Sequence, residues 1–330
     1  MMNNYNSDMQ ITIRQPLPQD LEFMQSLWRQ NFPEDRDGSF VSWYFSNRFR
    51  PHFARLLLVD DEPAAMAFAP EVQMQINGQT CAVPYIQGVA TAEKFQRRGL
   101  AYRLLQHLFD ELRAAGYPFC VLKPFHAEFY QPLGFRFFAY LRRYQLDFNE
   151  HFLLPPSGDF RMTHFLQPQD AAAEVCQIYA AWTDKFNCRA LRDEPTCRLL
   201  LTDHLADRGM LLLAYDKSQK PRAYALYTTT PDGIFVRELA YSSHRAAVDL
   251  LRQLAHDYRE DTPKCLLIMP DSPALCTILP ENNAGWQVQP FAMAKPLTAH
   301  PAECYNFNVC NAADDDAVWP KIPAYFYEYF

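Results

Sequence analysis

The sequence has no CxxC pair, no run of lysines and arginines, no apolar stretch of membrane-spanning length, no Walker loop and no GxGxxG fingerprint. Each absence removes a class of function. Nine cysteines (Cys81, Cys120, Cys176, Cys188, Cys197, Cys265, Cys276, Cys304 and Cys310) are scattered singly. None has paired-ligand spacing, so no metal is expected, and an odd count in a long chain reads as reduced thiols in a cytoplasmic protein. With 31 Lys+Arg against 38 Asp+Glu the formal net charge is -7, so nucleic acid is not an expected partner. A small or cationic substrate fits better. Residues 1–10 are polar and uncharged apart from Asp8, without the basic start and apolar stretch of a secretory signal. The longest apolar stretches, such as Met210–Tyr215, fall far short of a bilayer, so no membrane association is expected.

What is present is a chain of 330 residues, 49% of them hydrophobic, enough for two or three folded domains. Leu21, Phe23, Met24, Leu27 and Trp28 form an apolar stripe at helical spacing, with Asp20 as its expected N-cap. A second, aromatic helix is expected over residues 40–49. Strands follow at 54–59, 64–76 and 79–91, the last two joined by Asn77-Gly78, a type I′ turn signal. A helix runs from Gly99 to about Ala115, with a buried face of Leu100, Leu104, Leu105, Leu108 and Leu112 and with Gly116 as its C′ residue. Strands at 119–122 and within 135–148 complete the unit. Leu154-Pro155-Pro156-Ser157-Gly158 marks a boundary. Beyond it comes a helix at 170–182. Strands at 210–215, 223–228 and 234–240 follow, then a helix at 243–258 and strands at 265–269 and 288–295. The order repeats that of the first unit from Ala54 onward, which reads as a degenerate internal duplication. The expected division is 1–150, 151–297 and a tail, 298–330.

Chemistry concentrates in Gly88-Val89-Ala90-Thr91-Ala92-Glu93-Lys94-Phe95-Gln96-Arg97-Arg98-Gly99-Leu100-Ala101. A buried strand feeds a tight loop that opens a helix. Free backbone N–H groups at such a helix start form an anion nest, and the helix dipole adds positive character. Gly99 lets the backbone approach a diphosphate, and Arg97 and Arg98 add charge-assisted bonds. The physical reading is a pyrophosphate cradle; an ordinary solvated Arg-Arg-Gly turn is the alternative.

Gln96-Arg97-Arg98-Gly99-Leu100-Ala101 resembles the acetyl-CoA motif of the GNAT acetyltransferases. Gly88-Val89-Ala90-Thr91 before it and Phe129-Tyr130-Gln131-Pro132-Leu133-Gly134-Phe135 after it match the same superfamily in order. The nearer resemblance is to the Eis-type (enhanced intracellular survival) acetyltransferases, which join a catalytic GNAT domain to a degenerate one. That implies a mixed α+β chain of tandem GNAT folds, each a mostly antiparallel sheet flanked by helices. The first unit would be catalytic, the second degenerate, and the tail would reach toward the active site. No counterpart of that family's sterol-carrier-like third domain is expected in the 30-odd residues from Thr298 to Phe330.

The resemblance implies acetyl transfer from acetyl-CoA, as co-substrate, to a primary amine of a small molecule or peptide, by direct attack in a ternary complex. Arg97, Arg98, Gly99, Leu100, Ala101 and Tyr102 would hold the cofactor diphosphate. Backbone N–H groups of Val89, Ala90 and Thr91 would polarise the thioester carbonyl. Phe125 and His126 would line the thioester end. Tyr130 would be the general acid that protonates the departing thiolate, though an aromatic between Phe129 and Phe135 also fits a core. The terminal carboxylate of Phe330 would serve as base or orienter of the amine, working through water because an α-carboxylate near pKa 3.5 is weakly basic. His126 and Glu128 are weak alternatives as base. The Tyr241-Ser242-Ser243-His244-Arg245 loop of the second unit lacks the glycine and the arginine pair, so one active site per chain is expected. Trp28 and the tail aromatics (Tyr325, Phe326, Tyr327, Tyr329) would wall the acceptor cleft, with a core position as the alternative for Trp28. A homo-oligomer is compatible with this family. Another acyl-CoA donor, or a CoA-responsive binding module without turnover, remains open on sequence alone.

Overall fold

Apolar alternation and helical stripes account for most elements of the computed structural model, which describes residues 9–35, 39–165, 167–271 and 285–298 and the backbone of Ala324 and Tyr325. In chain order these are β1 (Ile11–Arg14), α1 (Leu21–Asn31), α2 (Phe40–Asn47), β2 (Ala54–Val59), β3 (Glu62–Phe68), β4 (Glu71–Ile76), β5 (Gln79–Pro84), β6 (Gln87–Thr91), α3 (Leu100–Ala114), β7 (Phe119–Leu122), α4 (Ala127–Tyr130) and β8 (Arg136–Asp147). They continue with α5 (Phe148–His151), β9 (Arg161–Phe165), α6 (Ala172–Thr183), β10 (Cys188–Ala190), α7 (Glu194–Ala206), β11 (Met210–Tyr215), β12 (Pro221–Thr230), β13 (Gly233–Tyr241), α8 (His244–Tyr258), β14 (Lys264–Pro270), β15 (Gly285–Pro296) and β16 (Ala324–Tyr325). The result is a mixed α+β architecture with antiparallel-rich sheets flanked by helices.

The two long strands expected between residues 64 and 91 are each divided in two. The breaks fall beside Pro70 and Pro84, which have no N–H to give a ladder. There the chain leaves one sheet, ordered β1-β2-β3-β6, for another, ordered β16-β10-β4-β5, and then returns. Asn77 and Gly78 have φ +48 and +84, as a type I′ hairpin requires. Gly116, at φ +87, ends α3 as expected. Asp20 is not a side-chain cap for α1. Its carboxylate accepts from the Leu17 N–H at 2.6 Å and from Arg14 at 2.6 and 3.1 Å, closing the preceding turn. The strand β1 and the pair β10–α7 were not foreseen: β1 is four residues long, β10 three.

Trp28 lies in the core, not on a cleft wall. It is 3% exposed, donates from Nε1 to Asp35 at 2.8 Å, and packs with Tyr44 and Phe68 between the α1–α2 layer and β2–β3. The opposite side of this sheet is covered by α3 through Leu100, Leu104, Leu105, Leu108, Phe109 and Leu112.

The third sheet spans both halves of the sequence, in the order β7-β15-β8-β14-β13-β12-β11-β9. β15 lies between β7 and β8, antiparallel to both, with Met293 opposite Leu122 on one side and Phe137 on the other. The other edge of β8 pairs with β14. Behind β11–β13, α6 and α8 bury a separate core. Ala324 and Tyr325 run parallel to β10, opposite Cys188 and Arg189. Since β10 is antiparallel to β4, the chain at β16 heads toward the Glu71–Pro84 end of the β4–β5 hairpin.

Candidate active site

The site begins where two parallel strands part. Tyr85 bridges Val121, and the Ile86 N–H donates to the Val121 carbonyl at 2.8 Å. Beyond that bond β6 follows β3, while β7 follows β15. A fork opens between them.

Gly88 sets which backbone groups face the opening. It sits at φ +56, opposite a register shift between Met66 and Phe68. A Cβ there would come within 2.4 Å of Phe68 and 2.9 Å of Trp28, so only glycine is accommodated. After this bulge the Ala92 N–H donates to the Ala64 carbonyl at 2.8 Å, with Thr91 opposite Ala65 and Ala90 opposite Met66. Antiparallel alternation therefore turns the Ala90 N–H toward β3, and those of Val89 and Thr91 away from it, toward the fork. Of the three expected oxyanion donors, two keep that geometry.

At the open end of β6 the loop is pinned before it turns. Phe95 is buried, the Gln96 side chain donates to the Thr91 carbonyl at 3.1 Å, and Lys94 pairs with Glu62. Arg97 (φ +60) and Gly99 (φ +75) are both left-handed, a local geometry that turns successive N–H groups into one concavity. Gly99 is the N-cap of α3, and no side chain caps that helix. A Cβ on Gly99 would meet nothing within 4 Å among the described residues, which leave the space over the helix start open. Leu100 is buried and anchors the turn, whereas Tyr102 is 51% exposed on the first helical turn and Ala101 is half-buried. Arg98 lies 5.7 Å from the Phe95 ring; Arg97 is exposed and has no ion-pair partner among the described residues. A groove of about 660 Å³ between α1 and this loop is lined by Glu22, Arg29, Glu93 and Gln96.

Across the fork, β7 leads to Phe125 (63% exposed) and the exposed His126, whose rings meet edge-on at 4.8 Å. Tyr130 ends α4 and is half-buried, with edge-on contacts to Phe129 at 4.9 Å and Phe135 at 5.7 Å. Burial pushes its phenol up to about 12. The group is thus a neutral O–H donor across the physiological range. The turn that follows, with Gly134 at φ +92, is held from outside: Lys295 on β15 donates to the Leu133 carbonyl at 2.7 Å, and Arg136 donates to the carbonyls of Gln131 and Phe135 at 3.1 and 2.9 Å.

Sequence reasoning missed Lys295, which nothing near it in the chain connects to Tyr130. It also missed a buried polar pair at the base of the fork, where Gln87 Nε2 donates to Tyr44 Oη at 2.7 Å and Gln87 Oε1 has no partner among the described residues. The available signal was a glutamine inside the apolar strand sequence Tyr85-Ile86-Gln87-Gly88-Val89. Phe330, the expected base, lies outside the described residues, as do the side chains of the tail aromatics.

The corresponding helix of the second half, α8, starts differently. Ser243 caps it by accepting from the Ala246 N–H, and Arg245 is paired with Asp159 at 2.7 Å. The chain's own groups take the places that a phosphate would need.

The model of the acetyltransferase (GNAT) domain matches residues 12–138. No curated protein matches the sequence. Among solved structures, a conserved protein of unknown function from Enterococcus faecalis V583 is similar, with TM-score 0.75 at 14% identity, over 89% of this chain and 74% of that one. The GCN5-related N-acetyltransferase from Kribbella flavida gives 0.69 at 17%, over 90% and 74%. Eis1 from Mycobacterium abscessus gives 0.68 at 13%, over 89% and 76%. Residues 12–138 are therefore a GNAT acetyltransferase domain, within a chain that shares the fold of the Eis-like N-acetyltransferases.

Proposed function

We propose that this chain transfers an acetyl group from acetyl-CoA to a primary amine, by direct attack while both substrates are bound. Acyl transfer is the chemistry of the family; the acetyl donor and the amine acceptor are the further step. The observation that carries it is the fork between β6 and β7 ending on the uncapped, left-handed start of α3. An extended pantetheine chain fits such a slot, and the backbone amides from Arg97 to Tyr102 fit its diphosphate.

The Val89 and Thr91 N–H groups would receive charge as the thioester carbonyl becomes tetrahedral. Tyr130 would give its proton to the sulfur as the C–S bond breaks. The amine must arrive neutral, and the adjoining groove, with Glu22 and Glu93 against Arg29, carries a net negative charge suited to a cation. For the base we keep Phe330. The chain at β16 runs toward the Pro70 end of β4, the level at which the fork opens. The self-capped start of α8 supports a single active site per chain.

The test is calorimetric titration of CoA into the Arg97→Ala/Gly99→Asp double variant. Loss of detectable binding with an unchanged circular dichroism spectrum is expected, and unchanged binding would remove the cradle. Thiol release from acetyl-CoA across a panel of amines, on untagged protein, tests turnover. The same panel with a residue added after Phe330 tests the carboxylate, and full activity would exclude it.

A further inference from the structure

One polar pair lies buried where apolar side chains would serve stability better. Gln87 is the first residue of β6 past the last bond between the parallel strands, from the Ile86 N–H to the Val121 carbonyl. It stands immediately before the Gly88 bulge, opposite Phe68 of β3. The residue is 9% exposed, and its side chain turns to the α1–α2 layer, where Nε2 donates to Tyr44 Oη on α2 at 2.7 Å. The Tyr44 ring is buried, its centre 4.9 Å from that of Trp28 and 6.0 Å from that of Phe68. Gln87 Oε1 is buried as well and has no partner among the described residues. A buried acceptor left unpaired costs stability, and two apolar side chains of the same shape would avoid that cost. The pair is therefore kept for something other than stability. Its place is the point where β6 loses contact with β7, which pairs with β15 instead. From there on β6 is an edge strand, held in its sheet by β3 alone.

We propose that Gln87 and Tyr44 are positioning residues for the oxyanion donors: their bond ties the base of β6 to α2 and so fixes the direction in which the Val89 and Thr91 N–H groups point into the fork. This rests on the proposed function, in which those two groups receive the thioester oxygen. The β3 ladder restrains β6 within the sheet; the bond to α2 restrains it across the sheet, the direction in which a strand with a free edge swings. Both donors follow Gln87 within four residues, beyond a bulge whose aim any such swing would change. Oxyanion stabilisation requires donors fixed before charge develops, so a small change of aim is costly. Neither side chain touches the reacting atoms; each acts through the backbone of β6.

The experiment uses the full chain with carbonyl-labelled acetyl-CoA and no amine, and reads the thioester carbonyl stretch by infrared difference spectroscopy. Binding to the wild type is expected to lower the stretch, because two N–H donors polarise the bond. Tyr44→Phe removes one oxygen; Tyr44→Phe/Gln87→Met makes both partners apolar. Both variants are expected to return the stretch toward its value in free acetyl-CoA, with acetyl-CoA affinity within about twofold of wild type and with Tm of the double variant unchanged or raised. With an amine that turns over, kcat should fall about 10- to 100-fold in both, the double variant no worse than the single. A lowered stretch retained in both variants overturns the proposal and leaves the catalytic reading standing. A Tm lower in the double variant than in Tyr44→Phe makes the pair an ordinary structural bond and overturns it too. Bound acetyl-CoA with an unlowered stretch in the wild type removes the oxyanion donors themselves, and the role of the pair goes with them.

Discussion

Tyr130 illustrates how one side chain acquires a role from its surroundings. Its ring is held edge-on between Phe129 and Phe135, and burial raises the phenol to about 12. As the acid of the proposed reaction it stays protonated over the whole range in which an amine acceptor becomes neutral. Tyr130→Phe is expected to lower kcat by about 100-fold or more while CoA affinity changes less than about twofold, read by steady-state kinetics and titration. In the wild type, kcat should rise with pH and show no fall attributable to Tyr130 below about pH 11. A descending limb near pH 9 would reassign the acid. Asp203, on α7, shows the opposite use of burial. Its carboxyl is 3% exposed, its Oδ1 has no hydrogen-bond partner among the described residues, and burial raises it to about 7. The folded state therefore holds this proton more tightly than the unfolded chain does. The stability it contributes is full below about pH 4 and is lost as pH rises through 7. Asp203→Asn should raise Tm at pH 8 and lose that advantage by pH 4, a pattern that thermal melts at the two pH values will show.

At the scale of elements, β6 and α3 depend on two glycines for different reasons. Gly88 is enclosed, with Phe68 and Trp28 where a Cβ would go; Gly99 faces open space. Gly88→Ala combines overpacking with a left-handed backbone and should cost about 2–4 kcal/mol in urea melts. Gly99→Ala meets only the backbone term and should cost about 1–2 kcal/mol. The loop motif, α3 with its buried leucines, and the Asn77-Gly78 turn were legible because each is encoded within a few residues. The division of residues 64–91 into four strands was not, since apolar alternation continues across Pro70 and Pro84 while the chain changes sheets. The re-aiming of Val89 and Thr91 by a bulge was equally hidden. It depends on which residue of β3 lies opposite, and no local pattern reports that.

At the scale of the molecule, the turn that carries Tyr130 is braced by a lysine more than 160 residues away, because β15 completes the sheet between β7 and β8. In the proposed reaction this contact would make Lys295 a positioning residue, acting through the turn. Lys295→Met should lower kcat about 10-fold with little change in KM for acetyl-CoA, and Lys295→Arg should recover much of the loss, as kinetics on both variants will show. Equal activity of Lys295→Met and wild type would make the brace irrelevant. The two halves read from the sequence are tied at this point, and the tie was invisible there because strand pairing at such separation leaves no periodic trace.

The same strand sets an order of events during synthesis. A ribosome makes β7 and β8 well before Gly285–Pro296 exists to fill its place between them. Until then β7 and β8 expose the edges that β15 will cover, and the Tyr130 turn waits for its lysine. Products that terminate before β15 leave those edges uncovered and the turn unbraced, and the nascent amino-terminal half is the stage at which a chaperone has most to shield.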